Sequence, residues 1–96
     1  MHEQVELIVR AVLAQYPVKR AALFGSAAKR IMNDHSDVDI LVEFLPDTRG
    51  LEFFGLRVDL EEALGRSVDL LTWEALERAK PDFRQRVQRE ERIIYG

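Results

Sequence analysis

The chain is predicted to fold as a small α/β domain (α+β) in which helices flank a mixed sheet of three or four strands. Two observations predict this class. Hydrophobic patterns with the period of a helix and with the period of a strand alternate along the chain, and glycine or proline stands between them. The 96 residues are enough for one modest core, so residues 1–96 are expected to form a single domain.

A change of hydrophobic period marks the first helix and the first strand. Residues 5–16 carry apolar side chains at the i, i+3, i+4 spacing of an amphipathic helix, and Pro17 is expected to end it. The mainly apolar residues 18–24 then predict a strand, which stops at a Gly-Ser pair.

A short helix and a second strand are predicted next. Residues 27–32 include good helix formers and predict the helix, and the polar residues 33–36 predict a loop. Residues 38–44 are apolar except at two acidic positions, and they predict a strand that is followed by proline and glycine.

The rest of the chain predicts a helix, a strand and two short helical segments. Residues 51–64 place apolar side chains on one face of a helix that Gly65 is expected to cap, and residues 67–72 predict the third strand. After Trp73, Pro81 divides two short helical segments. The apolar side chains expected to face inward there are Phe83, Val87 and Ile94.

Composition and charge exclude several classes of protein. A net charge of −3 argues against an extended nucleic-acid surface, so no direct nucleic-acid binding is expected, although a nucleotide needs only a few residues and a metal. The absence of cysteine excludes disulfides and thiolate zinc sites. The first residues lack the pattern of a signal peptide, and no apolar run approaches the ~20 residues of a membrane span, so we expect a cytoplasmic protein without membrane contact.

Gly25 and Ser26 form the first candidate site. They lie where a predicted strand gives way to a predicted helix, so backbone N–H groups, the helix dipole and the serine hydroxyl can face a phosphate. Glycine there allows a phosphate to approach the main chain. The alternative is an ordinary turn or helix cap without a ligand.

Asp37 and Asp39 form the second candidate site, at the start of the second strand. The two-residue period of a strand directs both carboxylates to the same face, where they repel each other unless a cation lies between them. Mg²⁺ takes few protein carboxylates and completes its shell with water and substrate phosphates. The alternative is that one aspartate caps a turn and the other is solvated.

Asp69 interrupts the otherwise apolar third strand. If that strand lies beside the second one, Asp69 completes a three-carboxylate cluster that can deprotonate a hydroxyl close to a metal. The alternative is an aspartate on an edge strand in water.

Together these segments resemble the signature of the minimal nucleotidyltransferases of the DNA polymerase beta superfamily. The similar segments are Gly25-Ser26, Ser36-Asp37-Val38-Asp39-Ile40-Leu41-Val42-Glu43-Phe44, Leu64-Gly65-Arg66-Ser67-Val68-Asp69-Leu70-Leu71-Thr72 and Arg89-Glu90-Glu91-Arg92. They are spread over nearly the whole chain. At this spacing the combination is specific, although each piece alone is weak.

The resemblance implies a nucleotidyl transfer from ATP that depends on two Mg²⁺ ions. It assigns metal binding and catalysis to Asp37, Asp39 and Asp69, and nucleotide contacts to Gly25, Ser26 and Ser36. One departure concerns the third and fourth residues after Ser26, which are often Arg and Gly in the family. Here they are Lys29 and Arg30, assigned as phosphate contacts, and lysine lacks the bidentate fork of arginine.

The resemblance also implies a partner. Minimal nucleotidyltransferases of this kind act as antitoxins of HEPN-domain proteins, so AMP transfer to a tyrosine hydroxyl of such a toxin is expected. Two alternatives remain: an antitoxin that neutralises its partner by binding alone, and transfer to a small molecule such as an aminoglycoside. Exposed apolar surface on so small a domain favours a homodimer or a hetero-oligomer.

Overall fold

The structure, a computed structural model, describes residues 2–25, 28 and 37–96. The helix predicted at 27–32, apart from Ala28, and the loop predicted at 33–36 lie outside the described residues. The described elements, in chain order, are α1 (His2–Leu13), β1 (Val18–Phe24), β2 (Val38–Phe44), α2 (Gly50–Leu64), β3 (Val68–Thr72), α3 (Trp73–Glu77), α4 (Pro81–Glu90) and β4 (Arg92–Tyr95).

The strands form one mixed sheet in the order β3-β2-β1-β4. β2 and β3 are parallel, whereas β1 is antiparallel to both β2 and β4. The predicted fold class, a mixed sheet of three or four strands flanked by helices, is therefore confirmed.

The core has two layers, one on each face of the sheet. α1 and α2 cover one face, where Leu13, Leu56 and Leu60 pack against strand residues such as Ile40. α3 and α4 cover the other face, where Leu76 and Val87 pack against Ala22, Phe24 and Leu41. Because successive strand residues point to opposite faces, Asp39 and Leu41 lie on the side of α3 and α4.

A glycine cap and a threonine cap set the end of α2 and the start of α3. Gly65 has a φ of 64°, and its N–H donates to the Glu61 carbonyl at 2.8 Å, so it ends α2 as the sequence predicts. The Thr72 hydroxyl at the end of β3 accepts a hydrogen bond from the Ala75 N–H at 3.0 Å and begins α3.

Two boundaries differ from the sequence prediction. α1 ends at Leu13, before Pro17, because Gln15 and Tyr16 donate to carbonyls three residues back, at 3.0 and 3.1 Å, and form turns instead of a further helical turn. Arg92–Tyr95 forms β4 and pairs with β1, although no strand was predicted there. Its four residues bury only Ile94, so the hydrophobic signal of a strand is weak.

β4 also ties the last part of the chain to the first helix. The Arg92 guanidinium donates to the Glu6 carboxylate of α1 at 3.1 Å, and both side chains are partly shielded from solvent. Among the described residues, no helix is both long enough and apolar enough to cross a membrane.

The Tyr16 hydroxyl joins the turn after α1 to α2 by donating a hydrogen bond to Asp59. This bond, together with burial and the Asp59 charge, raises the pKa of Tyr16 to about 12. Tyr16→Phe is expected to lower the free energy of unfolding by about 1 kcal/mol, because it removes one hydrogen bond to a carboxylate.

This decrease in unfolding free energy should have its full size below pH 10, the ordinary pKa of tyrosine. It should disappear as pH rises towards 12, because the folded wild type then also loses the Tyr16 proton. Urea denaturation at several pH values measures it. Tyr95→Phe, in β4, is the matched control. Equal effects of the two substitutions would contradict the assigned role of the Tyr16 hydroxyl.

Candidate active site

Asp39 and Asp69 lie side by side because β2 and β3 pair in parallel with these two residues in register. Residues opposite each other in adjacent strands point to the same face, and the strands are about 4.8 Å apart. The structure therefore brings these two predicted site residues together, on the face covered by α3 and α4. The two carboxyl groups are close enough for each to affect the protonation of the other.

The electrostatics of the pair favour one proton or one cation between the two carboxyl groups. The pKa of Asp39 rises from 3.8 to about 7, first because of burial and then because of the hydrogen bond to Asp69. The charges of Asp69 and Asp37 raise it further, and the Arg86 guanidinium lowers it. Without a cation, Asp39 thus holds its proton close to neutral pH.

Gly25 closes the site from the end of β1. Its φ of +63° lies in the left-handed region, and a Cβ at this position would overlap the Asp39 Oδ2 atom. Both the backbone conformation and the close approach of the Asp39 carboxylate therefore require glycine. This explains a residue that the sequence identified only as a turn or a phosphate contact.

A cavity of about 760 Å³ opens beside the pair and is lined by Gly25, Asp39 and Asp69. Arg57 of α2 and Arg86 of α4 add positive charge to its wall. Neither arginine was identified as a site residue from the sequence. Arg86 directly precedes the buried Val87, and this neighbour was the available signal that it lies close to the core.

The aromatic residues around the cavity belong mainly to the core. Phe24 and Phe83 meet edge to face with ring centroids 6.4 Å apart, and the Arg86 guanidinium lies 5.4 Å from the Phe83 ring. Trp73 lines a second cavity of about 700 Å³ and carries the Arg20 guanidinium 4.0 Å from its ring. Trp73 packs against the core cluster that contains Leu41 and Leu76, and it does not line the cavity beside the carboxylate pair.

The other predicted site residues are placed less completely. Asp37 lies immediately before β2 and is exposed, and its charge reaches Asp39. Asp69 is exposed on β3, an edge strand, and it also lies beside Asp39. The edge-strand position and the carboxylate pair therefore occur together. Within the described ranges, no three His, Asp or Glu side chains already form a group that could hold a metal ion. Outside the described residues lie Ser26, Lys29, Arg30 and Ser36.

Residues 8–96 match the model of the family described as polymerase beta, nucleotidyltransferase. The match extends over nearly the whole chain, so the chain belongs to the polymerase beta nucleotidyltransferase family and to the nucleotidyltransferase class of enzymes. The family predicted from the Gly-Ser and Asp-Val-Asp segments is confirmed.

Two relatives are similar over about 70% of their length. A Methanocaldococcus jannaschii protein to which protein adenylyltransferase activity is ascribed is 43% identical over 65 residues, which cover 68% of this chain and 70% of the relative. The protein adenylyltransferase MntA of Thermococcus cleftensis is 36% identical over 73 residues, which cover 72% of this chain and 74% of the relative.

Two solved structures have a similar fold. The structure of a toxin-antitoxin with AMP-PNP contains a chain that is 25% identical, with a TM-score of 0.74, and the match covers 95% of this chain and 73% of that one. The structure of a tri-AMPylated Shewanella oneidensis HEPN toxin in complex with MNT antitoxin contains a chain with a TM-score of 0.70, covering 100% of this chain and 73% of that one. At 23% identity, the second likeness shows the fold alone.

In protein freed of divalent cations, the contact between Asp39 and Asp69 should make stability depend on pH. The folded state holds the Asp39 proton up to about pH 7, whereas an unfolded aspartate releases it near 3.8. The associated stabilisation is therefore complete below about pH 4 and is lost as pH rises through about 7.

Urea denaturation in the presence of a chelator, at pH values between about 4 and 8, measures this loss. As pH rises, the unfolding free energy of the wild type should fall relative to that of Asp69→Asn. Asp47→Asn, at an exposed turn residue with a φ of 67°, is the matched control and should keep the wild-type slope. Parallel pH profiles for wild type and Asp69→Asn would refute the coupling.

Proposed function

We propose that this chain is a Mg²⁺-dependent protein adenylyltransferase that moves AMP from ATP to a tyrosine hydroxyl of a HEPN-domain partner, and thereby acts as an antitoxin. The observation that carries the proposal is the in-register pair Asp39 and Asp69 beside Gly25. The activity named for the relatives and the AMP-PNP bound in a structural neighbour support the same chemistry. The HEPN partner is inferred from the complex in which a similar fold occurs.

The residues present fit a divalent cation. Two neighbouring carboxyl groups, one with a raised pKa, supply hard oxygen donors, and a cation bound between them would relieve their repulsion. We assign the metal site to Asp37, Asp39 and Asp69, and we expect two ions. When bound, Mg²⁺ supplies neutralisation of the triphosphate charge and of the charge that develops at the α-phosphate.

The protein side chains would orient the two reactants and move one proton. Gly25 lets the main chain approach the phosphates, and Arg86 adds positive charge beside the carboxylates. Asp69, the more exposed carboxylate of the pair, would accept the proton of the acceptor hydroxyl. The bond from that oxygen to the α-phosphorus forms while the bond to the β-phosphate oxygen breaks, and pyrophosphate leaves.

Further nucleotide contacts are assigned by resemblance to Ser26, Lys29, Arg30 and Ser36. We infer that residues 1–96 make up one minimal nucleotidyltransferase domain. We also infer that the enzyme works in the cytoplasm, where ATP and a toxin partner are both available.

A second candidate function is neutralisation of the partner by binding alone. The observation that favours it is the set of exposed apolar side chains on α2, where Leu51, Phe54 and Val58 are 78%, 62% and 51% exposed. Such a surface is typical of a stable protein complex. This candidate expects a site variant to inhibit the partner as well as the wild type does.

Asp39→Asn is expected to lower AMP transfer by at least about 100-fold, because it removes the central carboxylate of the pair. The protein is incubated with its HEPN partner, ATP and Mg²⁺, and intact-mass spectrometry measures the AMP added to the partner. Asp47→Asn controls for a lost acidic charge away from the site and should transfer AMP normally.

The metal assignment has its own readout. Mg²⁺ should raise the melting temperature of the wild type and of Asp47→Asn more than that of Asp39→Asn, because the variant lacks one ligand. Equal labelling of the partner by wild type and Asp39→Asn would remove the active-site assignment. Normal inhibition of the partner by an Asp39→Asn protein that transfers no AMP would favour the binding function instead.

Gly25→Ala and Gly65→Ala separate backbone strain from the geometry of the site. Both glycines have a φ near +64°, so either substitution should cost about 1 to 2 kcal/mol of stability. A Cβ at position 65 meets no atom within 4 Å, whereas a Cβ at position 25 displaces the Asp39 carboxylate. Only Gly25→Ala should therefore lose AMP transfer, and equal transfer by the two variants would contradict this role of Gly25.

A further inference from the structure

The outer edge of β3 carries backbone groups that point away from the sheet. β3 is the last strand in the order, and the described part of the chain places no strand beside its outer edge. The Val38 N–H donates to the Ser67 carbonyl at 3.0 Å, which shows that residue 67, and with it 69 and 71, directs its backbone groups to β2. The alternate residues 68 and 70 therefore direct theirs outwards.

The side chain of Glu61 occupies the start of this edge. Its Oε2 atom accepts a hydrogen bond from the Val68 N–H at 3.0 Å. The next outward-facing residue is Leu70. Its N–H and C=O point to the same side of the strand, next to each other along the edge, as they do wherever a strand can pair with a neighbour. A donor and an acceptor at this spacing match another extended backbone.

The cavity of the active site runs along the same edge. It is lined from one face of the sheet by Val68 and Leu70 and from the other face by Asp69. Arg57 of α2 and Phe83 of α4 line it too, and these helices cover opposite faces of the sheet. The β3 edge is thus the floor of a slot between two helical layers, which is where one more strand would lie.

We propose that the acceptor polypeptide binds in this slot as an extended segment that pairs with the Leu70 backbone and places its hydroxyl side chain opposite Asp69. The inference rests on the proposed function and adds how the acceptor is recognised. Paired strands keep side chains in register on one face, so a residue opposite Asp69 points to the face of the two carboxylates. Strand addition supplies affinity through the main chain, whatever the surrounding sequence.

The arrangement gives a row of three neighbouring positions across the sheet: Asp39, Asp69 and the acceptor residue. Each step is about 4.8 Å. Asp69, in the middle, is in reach of the acceptor hydroxyl and of Asp39. In the transfer, the hydroxyl oxygen forms the bond to the α-phosphorus, its proton passes to Asp69, and pyrophosphate leaves with the electron pair of the broken bond.

The test uses a short synthetic peptide of alternating threonine and valine with one central tyrosine, which favours an extended conformation. Two further versions are N-methylated at alternate residues, one in each register, so that only one of them loses the N–H groups that face β3. With ATP, Mg²⁺ and the wild-type protein, AMP transfer to each peptide is measured by mass spectrometry, beside transfer to the HEPN partner.

Strand addition expects kcat/KM to fall at least about tenfold for one methylated register, equivalent to about 1.4 kcal/mol, and to stay within about twofold for the other. Transfer to both methylated peptides at the rate of the parent overturns the proposal. So does labelling of the HEPN partner with no labelling of any peptide. Transfer to neither partner nor peptide removes the proposed function itself, and this inference falls with it.

Hydrogen exchange followed by NMR gives a readout on the enzyme without any variant. Binding of the parent peptide should protect the Leu70 amide, whereas the Val68 amide, already bonded to Glu61, should exchange as before. Protection of the Leu70 amide in a dimer of the protein alone would show that the edge pairs with a second copy, and this too overturns the proposal.

Discussion

The candidate site depends on the closeness of two like groups, the carboxyls of Asp39 and Asp69, which the parallel pairing of β2 and β3 brings side by side. Two adjacent anions destabilise a sheet, yet here the surrounding structure enforces their proximity. The buried neighbours Ile40 and Val42 fix β2 in the centre of the sheet, and Val68 fixes β3 beside it. A shift of one residue in β2 would move Asp39 to the face covered by α1 and α2, where buried apolar side chains offer it no partner, so the core itself keeps the two carboxyls in register.

The closeness of the two carboxyls explains three other features of the site: the glycine at position 25, the position of Arg86 and the raised pKa of Asp39. Gly25 has no side chain where the Asp39 carboxylate passes, and Arg86 approaches the pair from α4, which covers the same face of the sheet. The raised pKa of Asp39 reflects the energetic cost of the arrangement. A carboxyl group that keeps its proton up to about pH 7 is one whose charged form lacks a counter-ion. A fold that tolerates such a cost is typical of a site selected for chemistry and not for stability.

Much of the fold was predictable because its strands carry strong local signals. The bounds of β1 and β2 agree with the prediction, and Gly65 ends α2 as expected. β4 was missed because a four-residue strand with a single buried side chain has no period to detect. Its position is decided by pairing with β1, about 70 residues earlier in the chain, and local propensity cannot report such a partner.

The site was predictable in part. The period of a strand placed Asp37 and Asp39 on one face, but no pattern within β3 specifies which strand lies beside it, so the meeting of Asp39 and Asp69 rested on resemblance. Arg57 was invisible for a similar reason, because a cation on an exposed helix face gives no sign of which cavity it borders. The conformation of Gly25 was suggested by its residue type, whereas its closeness to Asp39 is a tertiary fact.

The late position of β4 in the chain has a consequence for synthesis. As the protein emerges from the ribosome, β1 can pair with β2 early, but its other side stays uncovered until residues 92–95 have been made. During synthesis the sheet therefore has two unpaired edges. One is β1, and the other is β2 until β3 pairs with it and becomes the edge. β4 then covers β1 and is linked to α1 through Arg92 and Glu6, so the outer strands of the sheet in the described residues are β3, beside the carboxylates, and the four-residue β4.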